Sequence, residues 1–460
     1  MPSGWTIGSG SGDHRVCRYA ADGNGSGAID ANIEHPLDSV DVAGSLLAQN
    51  FLVVRGDQAC PAASAGGLLS AGPAHCHISP DLSTHALNES PPTTADPNAF
   101  AEAMREALAL ADQAVGLSDP NPRVGCVIVD RGGRVVGRGH TQETGGPHAE
   151  VMALRDAAAR GAEVRGATVV VSLEPCSHHG RTPPCADALV AAGVGRVVMA
   201  MRDPNPLVAG QGAARLAAAG IATVFGPCED EARELNIGFV SRMERGRPWL
   251  RLKAAVSLDG RSALDNGVSQ WITGEAARTD GHAWRKRAGA LLTGVGTVLD
   301  DDPRLDVRLV PTARQPLRVV VDSRLQTPPS ARILGAPGSV LLYAAIDDAA
   351  KRGELEARGV EVALLPSASG KVDLSAMLAD LGARGINELH VEAGEKLNAS
   401  LLKEGGVDEL LVYVAPRLLG SGRGLAALGP FETLAQSLDF RIVDVARVGD
   451  DLRLRLRPRR

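Results

Sequence analysis

The chain has 460 residues, 44% of them hydrophobic and 22% charged, with a net charge of −6. That length suits two or three globular domains, and the acidic balance with only six Phe, four Trp and three Tyr argues against a nucleic-acid partner, which wants a basic face and stacking platforms. Seven cysteines without a framework pattern, no basic-then-apolar leader in Met1 to Asp13 and no early apolar run of spanning length point to a cytoplasmic protein with no membrane partner.

Residues 1 to 97 are rich in Gly, Ser, Ala, Asp and Pro and lack sustained periodicity. They are expected to be a disordered extension, to which no function is assigned. The cluster Ala74-His75-Cys76-His77 within it reads more readily as chance than as a metal site.

The second block, 98–245, alternates helix and strand, as expected of helices layered on a central sheet. A helix is predicted over Ala99 to Val115, a strand over Val124 to Val129, and a hairpin turn at Gly132-Gly133 into Arg134 to Gly137. In Asp119-Pro120-Asn121-Pro122 two prolines stiffen the loop before the first strand. Asn121 there either offers its amide to a heterocycle or belongs to a plain rigid turn.

Gly145-Gly146-Pro147 breaks the chain before a helix from Ala149 to Ala159, so His148 and Glu150 stand at a helix start. Ala167 to Leu173 is an uninterrupted β-prone run, the mark of a buried strand. Cys176 follows its end, and Cys185 opens the helix Ala186 to Ala192, where a thiolate is favoured by the dipole. One imidazole and two thiolates are the three ligands of a catalytic Zn²⁺ site that keeps a fourth position open. Such a metal brings the pKa of water to about 7, and Glu150 is free to move the proton, the His-x-Glu…Pro-Cys…Cys signature of zinc deaminases. A closed structural site would need His178 or His179 as a fourth ligand and would leave Glu150 without a role. Strand Arg196 to Met201, helix Gly210 to Ala219, strand Ile221 to Phe225 and helix Glu229 to Arg242 complete the block.

The third block, 246–460, begins at Gly-Arg-Pro and needs its own core. Strands are predicted at Trp249 to Val256, Ala290 to Thr293, Leu317 to Val321, Ser339 to Tyr343, Glu388 to Val391 and Glu409 to Val414, with helices Glu275 to Ala288 and Lys396 to Lys403. The common Gly-x-Gly-x-x-Gly dinucleotide fingerprint is absent. A different phosphate cradle is available where Val391-Glu392 runs through Ala393-Gly394 into a helix, although many strand-to-helix turns look alike. Thr293-Gly294-Val295-Gly296-Thr297 is a second Gly-rich turn, flanked by Arg285, Arg304 and Arg308, whose guanidinium forks suit phosphate.

Together these motifs resemble a known family. Pro120-Asn121-Pro122-x-Val124-Gly125, His148-Ala149-Glu150, Glu174-Pro175-Cys176 through Pro184-Cys185 and Asp203-Pro204-Asn205-Pro206 resemble the deaminase half of the bifunctional riboflavin-biosynthesis deaminase/reductases. Ser257-Leu258-Asp259-Gly260, Ser269-Gln270-Trp271-Ile272-Thr273, Asp301-Asp302-Pro303, Val321-Asp322-Ser323 and Val391-Glu392-Ala393-Gly394 look like its reductase half. The eight residues between Cys176 and Cys185 match this branch, whereas the general deaminase signature places two there.

The resemblance implies a cytidine-deaminase-like α/β/α zinc domain followed by a dihydrofolate-reductase-like α/β domain. It implies two consecutive steps in riboflavin biosynthesis. The first is zinc-dependent hydrolytic deamination of 2,5-diamino-6-(5-phosphoribosylamino)pyrimidin-4(3H)-one. The second is NADPH-dependent reduction of the ribose of 5-amino-6-(5-phosphoribosylamino)uracil to its ribityl form. His148, Cys176 and Cys185 fall at the metal positions and Glu150 at the catalytic one. Ala255, Trp271, Thr297, Asp301, Ser323 and the run Gly394, Glu395, Lys396, Leu397, Asn398, Ala399 and Ser400 fall at NADPH positions. Ser269, Arg285, Leu305, Arg308 and Glu392 fall at substrate positions, with Asn121 and Lys253 as further substrate candidates. The expected cofactors are one Zn²⁺ per deaminase domain and NADPH. The expected partners are the pyrimidine ribosyl phosphate and further copies of the chain in a homo-oligomer.

Overall fold

The computed structural model describes residues 100–459 except 179–182 and 207, together with two short strands, Trp5–Ser9 and Arg15–Tyr19, that pair antiparallel as a separate unit. The rest of the predicted extension, the Ala74–His77 cluster included, lies outside the described residues.

Within the larger unit the first half is a five-stranded sheet. Its order is Val135–His140, Gly125–Val129, Thr168–Val171, Arg196–Met199, Ala222–Phe225. The first two junctions are antiparallel and the last two parallel. The Val- and Ile-rich central strands Gly125–Val129, Thr168–Val171 and Arg196–Met199 are buried because helices cover the sheet. Helix Ala149–Ala159 has the bounds predicted and lies close to strand Val135–His140: Cβ atoms built on Gly137 and Gly139 would strike the backbone of Ala149 and Ala153. Glycine is therefore what lets this helix approach the sheet and carry its first turn to the site.

The predicted helix Glu229 to Arg242 is two helices, Glu229–Leu235 and Ile237–Arg245. Asn236, between them, departs from helical geometry because its amide brackets a distant loop residue. Its Oδ1 accepts from the N–H of Arg123 at 2.8 Å, and its Nδ2 donates to the Arg123 carbonyl at 2.8 Å.

The second half is a nine-stranded sheet in the order Val360–Leu364, Val340–Ala344, Leu317–Val321, Ala290–Gly294, Glu388–Val391, Trp249–Ser257, Glu409–Ala415, Asp451–Pro458, Phe440–Val448. The first seven strands run parallel, and the C-terminal hairpin adds the last two antiparallel. Successive residues such as Leu291 and Leu292, or Leu341 and Leu342, enter different apolar clusters, so both faces of the sheet are covered. The hairpin was not foreseen: its strands alternate Arg with Leu or Val and carry little continuous apolar signal.

Candidate active sites

His148 is the N-cap of helix Ala149–Ala159 and Cys185 the first residue of helix Cys185–Ala192. Two helix starts thus meet beyond the carboxyl end of strand Thr168–Val171. The Sγ atoms of Cys176 and Cys185 lie 3.6 and 3.3 Å from His148 Nδ1. Cys176 Sγ also accepts from the Cys185 backbone N–H at 3.3 Å, the favourable seat of a thiolate at a helix N-terminus. Among the described residues this is the only cluster of three or more metal-binding side chains. His178 is not part of it, and His179 lies outside the described residues.

One nitrogen and two sulfur donors converging within 4.8 Å of one another fit a tetrahedral zinc with one open position. The thiol of Cys185, hydrogen-bonded to Cys176, holds the Cys176 thiol below the ordinary thiol range with His148 assisting, while that same bond and burial push Cys185 up. Glu150 is 4% exposed, and burial, with the negative Cys176 beside it, pushes its carboxyl up to about 7.

Asn121 sits on the loop before strand Gly125–Val129, partly buried. The loop touches the segment that leads to His148, and the strand it enters touches the segment that leads to Cys176. Thr144 Oγ1 donates to the Asp119 carbonyl at 2.9 Å, and the Gly125 N–H donates to Ser172 Oγ at 3.0 Å.

In the nine-stranded sheet, Gly294, Val321 and Val391 end three adjacent parallel strands. Thr297, Ser323 and the run from Gly394 to Ser400 follow those ends, and Ala255 lies near the carboxyl end of the neighbouring strand Trp249–Ser257. The topology therefore gathers these predicted cofactor positions at one edge, the usual crevice of parallel sheets.

Gly394 is the N-cap of helix Glu395–Lys403. A Cβ on it would come no nearer than 3.8 Å to Thr297 Oγ1, and one on Gly294 would lie 3.1 Å from Leu397. The two Gly-rich turns thus lie side by side, and a cofactor phosphate fits at the free N–H groups of the longer helix. The stretch Thr293–Thr297 is less of a turn than expected, because helix Val295–Asp301 starts at once after Gly294.

Some of the run serves the fold directly. Asn398 Nδ2 donates to the carbonyls of Ala393 and Leu425 at 3.1 and 2.8 Å, and Ala399 is buried. Glu395 Oε2 accepts from the Gly424 N–H at 3.2 Å, and Lys396 is exposed. Ser400 Oγ bonds the Lys396 carbonyl at 3.2 Å. Ser323 Oγ accepts from the Val372 N–H at 3.1 Å. Trp271 is 59% exposed beneath the Arg278 guanidinium, 4.8 Å from its ring centre.

Of the predicted substrate residues, Arg285, Glu392 and Lys253 converge most tightly. Arg285 forks onto Glu392 at 2.5 and 2.9 Å, and Lys253 Nζ is 3.6 Å from the same carboxylate. Burial pushes the Glu392 carboxyl up, but Arg285 and Lys253 outweigh it and hold it well below the ordinary range. Arg308 is tied to Asp306 at 2.6 Å, and Arg285 donates to the Asp306 carbonyl at 2.9 Å. Leu305, between Asp306 and Arg304, is buried with a φ of 48°. Ser269 Oγ donates to Asp301 Oδ1 at 3.2 Å.

Two histidines here escaped the sequence reading. His282 Nδ1 accepts from the Arg308 backbone N–H at 3.1 Å, and His390 Nε2 lies 3.4 Å from Glu392. The helical spacing of His282 and Arg285 was a usable signal; His390, in mid-strand, offered none.

Comparison with known proteins agrees with this picture. Residues 98–201 match the family described as cytidine and deoxycytidylate deaminase zinc-binding region. Residues 248–454 match the family described as RibD C-terminal domain. The chain is 47% identical to riboflavin biosynthesis protein RibD of Escherichia coli over 366 residues, 77% of this chain and 98% of that protein. Among solved structures, RibD of Acinetobacter baumannii superposes with a TM-score of 0.73 at 42% identity, covering 79% of this chain and all of that one. A diaminohydroxyphosphoribosylaminopyrimidine deaminase/5-amino-6-(5-phosphoribosylamino)uracil reductase from Thermotoga maritima has a TM-score of 0.71 at 33% identity, covering 78% and 99%.

Proposed function

Because this chain belongs to the RibD family, the zinc- and NADPH-dependent deaminase/reductases of riboflavin biosynthesis, we propose that 98–245 carries the deaminase and 246–460 the reductase, each through the residues gathered above. The single observation that carries the first assignment is the meeting of His148, Cys176 and Cys185 beside the buried Glu150.

When bound by these three side chains, zinc supplies the Lewis acidity that makes water a nucleophile near neutral pH. Glu150, with its carboxyl near neutrality, takes a proton on a carboxylate oxygen and delivers one to the departing ammonia, the work of a matched general acid/base. Asn121 holds the pyrimidine through its side-chain amide. In the reductase, NADPH supplies the reducing equivalent. The helix start at Gly394 holds a cofactor phosphate, with Ala255, Trp271, Thr297, Asp301 and Ser323 around it. Arg285, Arg308 and Lys253 hold the ribosyl phosphate, with Glu392 keeping Arg285 and Lys253 aimed, and Ser269 and Leu305 closing the pocket.

A homo-oligomer belongs to the same reading. Ile442 and Val445 on the edge strand Phe440–Val448 are 62% and 54% exposed, an apolar edge that invites a second copy. A cytoplasmic location belongs to that reading too, with Cys126 and Cys228 carrying unbridged thiols. No described helix is long and apolar enough to cross a membrane.

The test is ammonia release and NADPH consumption by zinc-loaded protein given the diaminopyrimidinone ribosyl phosphate. Both signals, with ammonia first, are expected. Ammonia without NADPH loss removes the assignment of 246–460, and neither signal from zinc-replete, folded protein removes both.

A further inference from the structure

The loop bearing Asn121 belongs by sequence to the deaminase, yet a large share of what holds it comes from the other sheet. Pro120 and Pro122 have no N–H to donate, so the loop is grasped through its carbonyls and the Asp119 carboxylate. The Asp119 carbonyl accepts from Thr144 Oγ1 at 2.9 Å and from Arg314 Nη1 at 2.7 Å. The Pro120 carbonyl accepts from Arg242 at 3.0 Å and from Asn387 Nδ2 at 3.1 Å. Asn387 Nδ2 also donates to Asp119 Oδ1 at 2.9 Å, while its Oδ1 accepts from Arg242 Nε at 2.7 Å. Past Asn121, Arg123 reaches Glu388 at 2.6 Å and the Arg287 carbonyl at 2.8 Å.

Asp119, Arg123, Asn387 and Glu388 are each at most 5% exposed. In that setting a hydrogen bond fixes geometry, and its loss leaves a buried polar group unpaired. On its other side the loop is stitched to Thr144, and the strand that follows it to Ser172 through Gly125; Thr144 and Ser172 lie four positions before His148 and Cys176.

We propose that Arg314 and Asn387, residues of the reductase half, are positioning residues for the deaminase: they fix the Asp119–Pro122 loop so that Asn121 is presented to the pyrimidine. The deaminase substrate site is then completed by the second half of the chain. Asn387 precedes strand Glu388–Val391, roughly 16 Å along the chain from Glu392 at about 3.3 Å per residue, so its change need not disturb reduction. The inference rests on Asn121 contacting the deaminase substrate, and its test separates the two.

The experiment uses full-length, zinc-loaded protein carrying Arg314→Ala, Arg314→Lys, Asn387→Ala or Asn121→Ala. Ammonia release is followed without NADPH, reduction is assayed separately on the deaminated substrate, and zinc content and thermal midpoint are recorded. Arg314 is exposed, so Arg314→Ala keeps the test open even where Asn387→Ala unfolds. Arg314→Ala is expected to raise the deaminase KM about five-fold with kcat little changed, the effect of one lost hydrogen bond. Arg314→Lys should recover most of that, and Asn387→Ala should raise KM about ten-fold or more. Reduction and zinc content should stay within about two-fold of the parent if positioning alone is lost. If Asn121→Ala raises KM but Arg314→Ala and Asn387→Ala do not, the inference is overturned and the reading of Asn121 stands. Parallel loss of both activities with zinc also overturns it, since that is a structural role. A silent Asn121→Ala removes the reading of Asn121 and this inference with it.

Discussion

At the scale of single residues, two carboxylates take opposite roles because their neighbours differ. Glu150 is buried beside Cys176, and burial with that negative neighbour pushes its carboxyl up to about 7, a value suited to proton transfer. Replacing it by Gln removes the proposed proton carrier and leaves the His148, Cys176 and Cys185 donors in place. Ammonia release should fall about 10²-fold or more, with zinc stoichiometry unchanged; loss of zinc in Glu150→Gln would instead make Glu150 part of the metal site. Glu392 is the reverse case, held ionised by Arg285 and Lys253. Its removal in Glu392→Ala leaves Arg285 charged and without its forked partner in a mostly buried place. A loss of about 3–5 kcal/mol in stability is the usual consequence, together with loss of reduction, which denaturant midpoints and NADPH assays would reveal. The metal ligands and Glu150 were legible in the sequence because they belong to one local motif. His390 was not, since nothing in one dimension announces that its strand will bring it beside Glu392; His282 offered only its helical spacing to Arg285.

At the scale of elements, the zinc site depends on how closely helix Ala149–Ala159 lies on strand Val135–His140. A methyl at position 139 would strike the carbonyl of Ala149, beside both His148 and Glu150. Gly139→Ala should therefore shift the first helical turn and cost about 1–3 kcal/mol, as overpacking against a rigid neighbour does. A chelator competition should show weaker zinc retention than in the parent, and unchanged retention would mean that the helix yields without moving its end. Asn236 shows a side chain overriding helical propensity. The helix predicted through it breaks because its amide satisfies both backbone groups of Arg123. Asn236→Ala leaves those groups unpaired, and a loss of about 1–3 kcal/mol should appear as a lower thermal midpoint.

At the scale of the whole molecule, the described residues from 100 onward belong to one unit, and a buried charge network lies where the two sheets meet. Glu388 receives Arg123, Arg251 and Arg287 at 2.6, 2.8 and 3.0 Å. Glu409 receives Arg251, Arg455 and Arg457 at 2.6, 2.8 and 3.2 Å. Burial pushes the Glu409 carboxyl up, but Arg251 and Arg455 outweigh it and hold it down at about 2; Glu388 is depressed in the same way by Arg287, Arg123 and Arg251. Since the folded values lie below the ordinary glutamate value of 4.5, the ionised forms stabilise the fold fully above that pH. Their contribution is lost as pH falls from about 4.5 towards 2. Denaturant midpoints measured across that window should decline, and Glu409→Gln should flatten the decline. An unchanged slope in that variant would assign the acid sensitivity to other groups.

The His148, Cys176 and Cys185 donor set with Glu150 beside it, much of the order of strands and helices and the family itself were legible in the sequence alone, because each rests on short-range pattern: donor spacing, periodicity and turn chemistry. Only the tertiary structure decided which strand carboxyl ends share an edge, how the C-terminal hairpin extends the second sheet, and that the Asn121 loop is held by Asn387 and Arg314, 268 and 195 positions from their Asp119 partner. Hydrogen bonds and ion pairs of that separation leave no periodic trace in the sequence. They exist because burial at the junction leaves each polar group to find its partner there, whatever its distance along the chain.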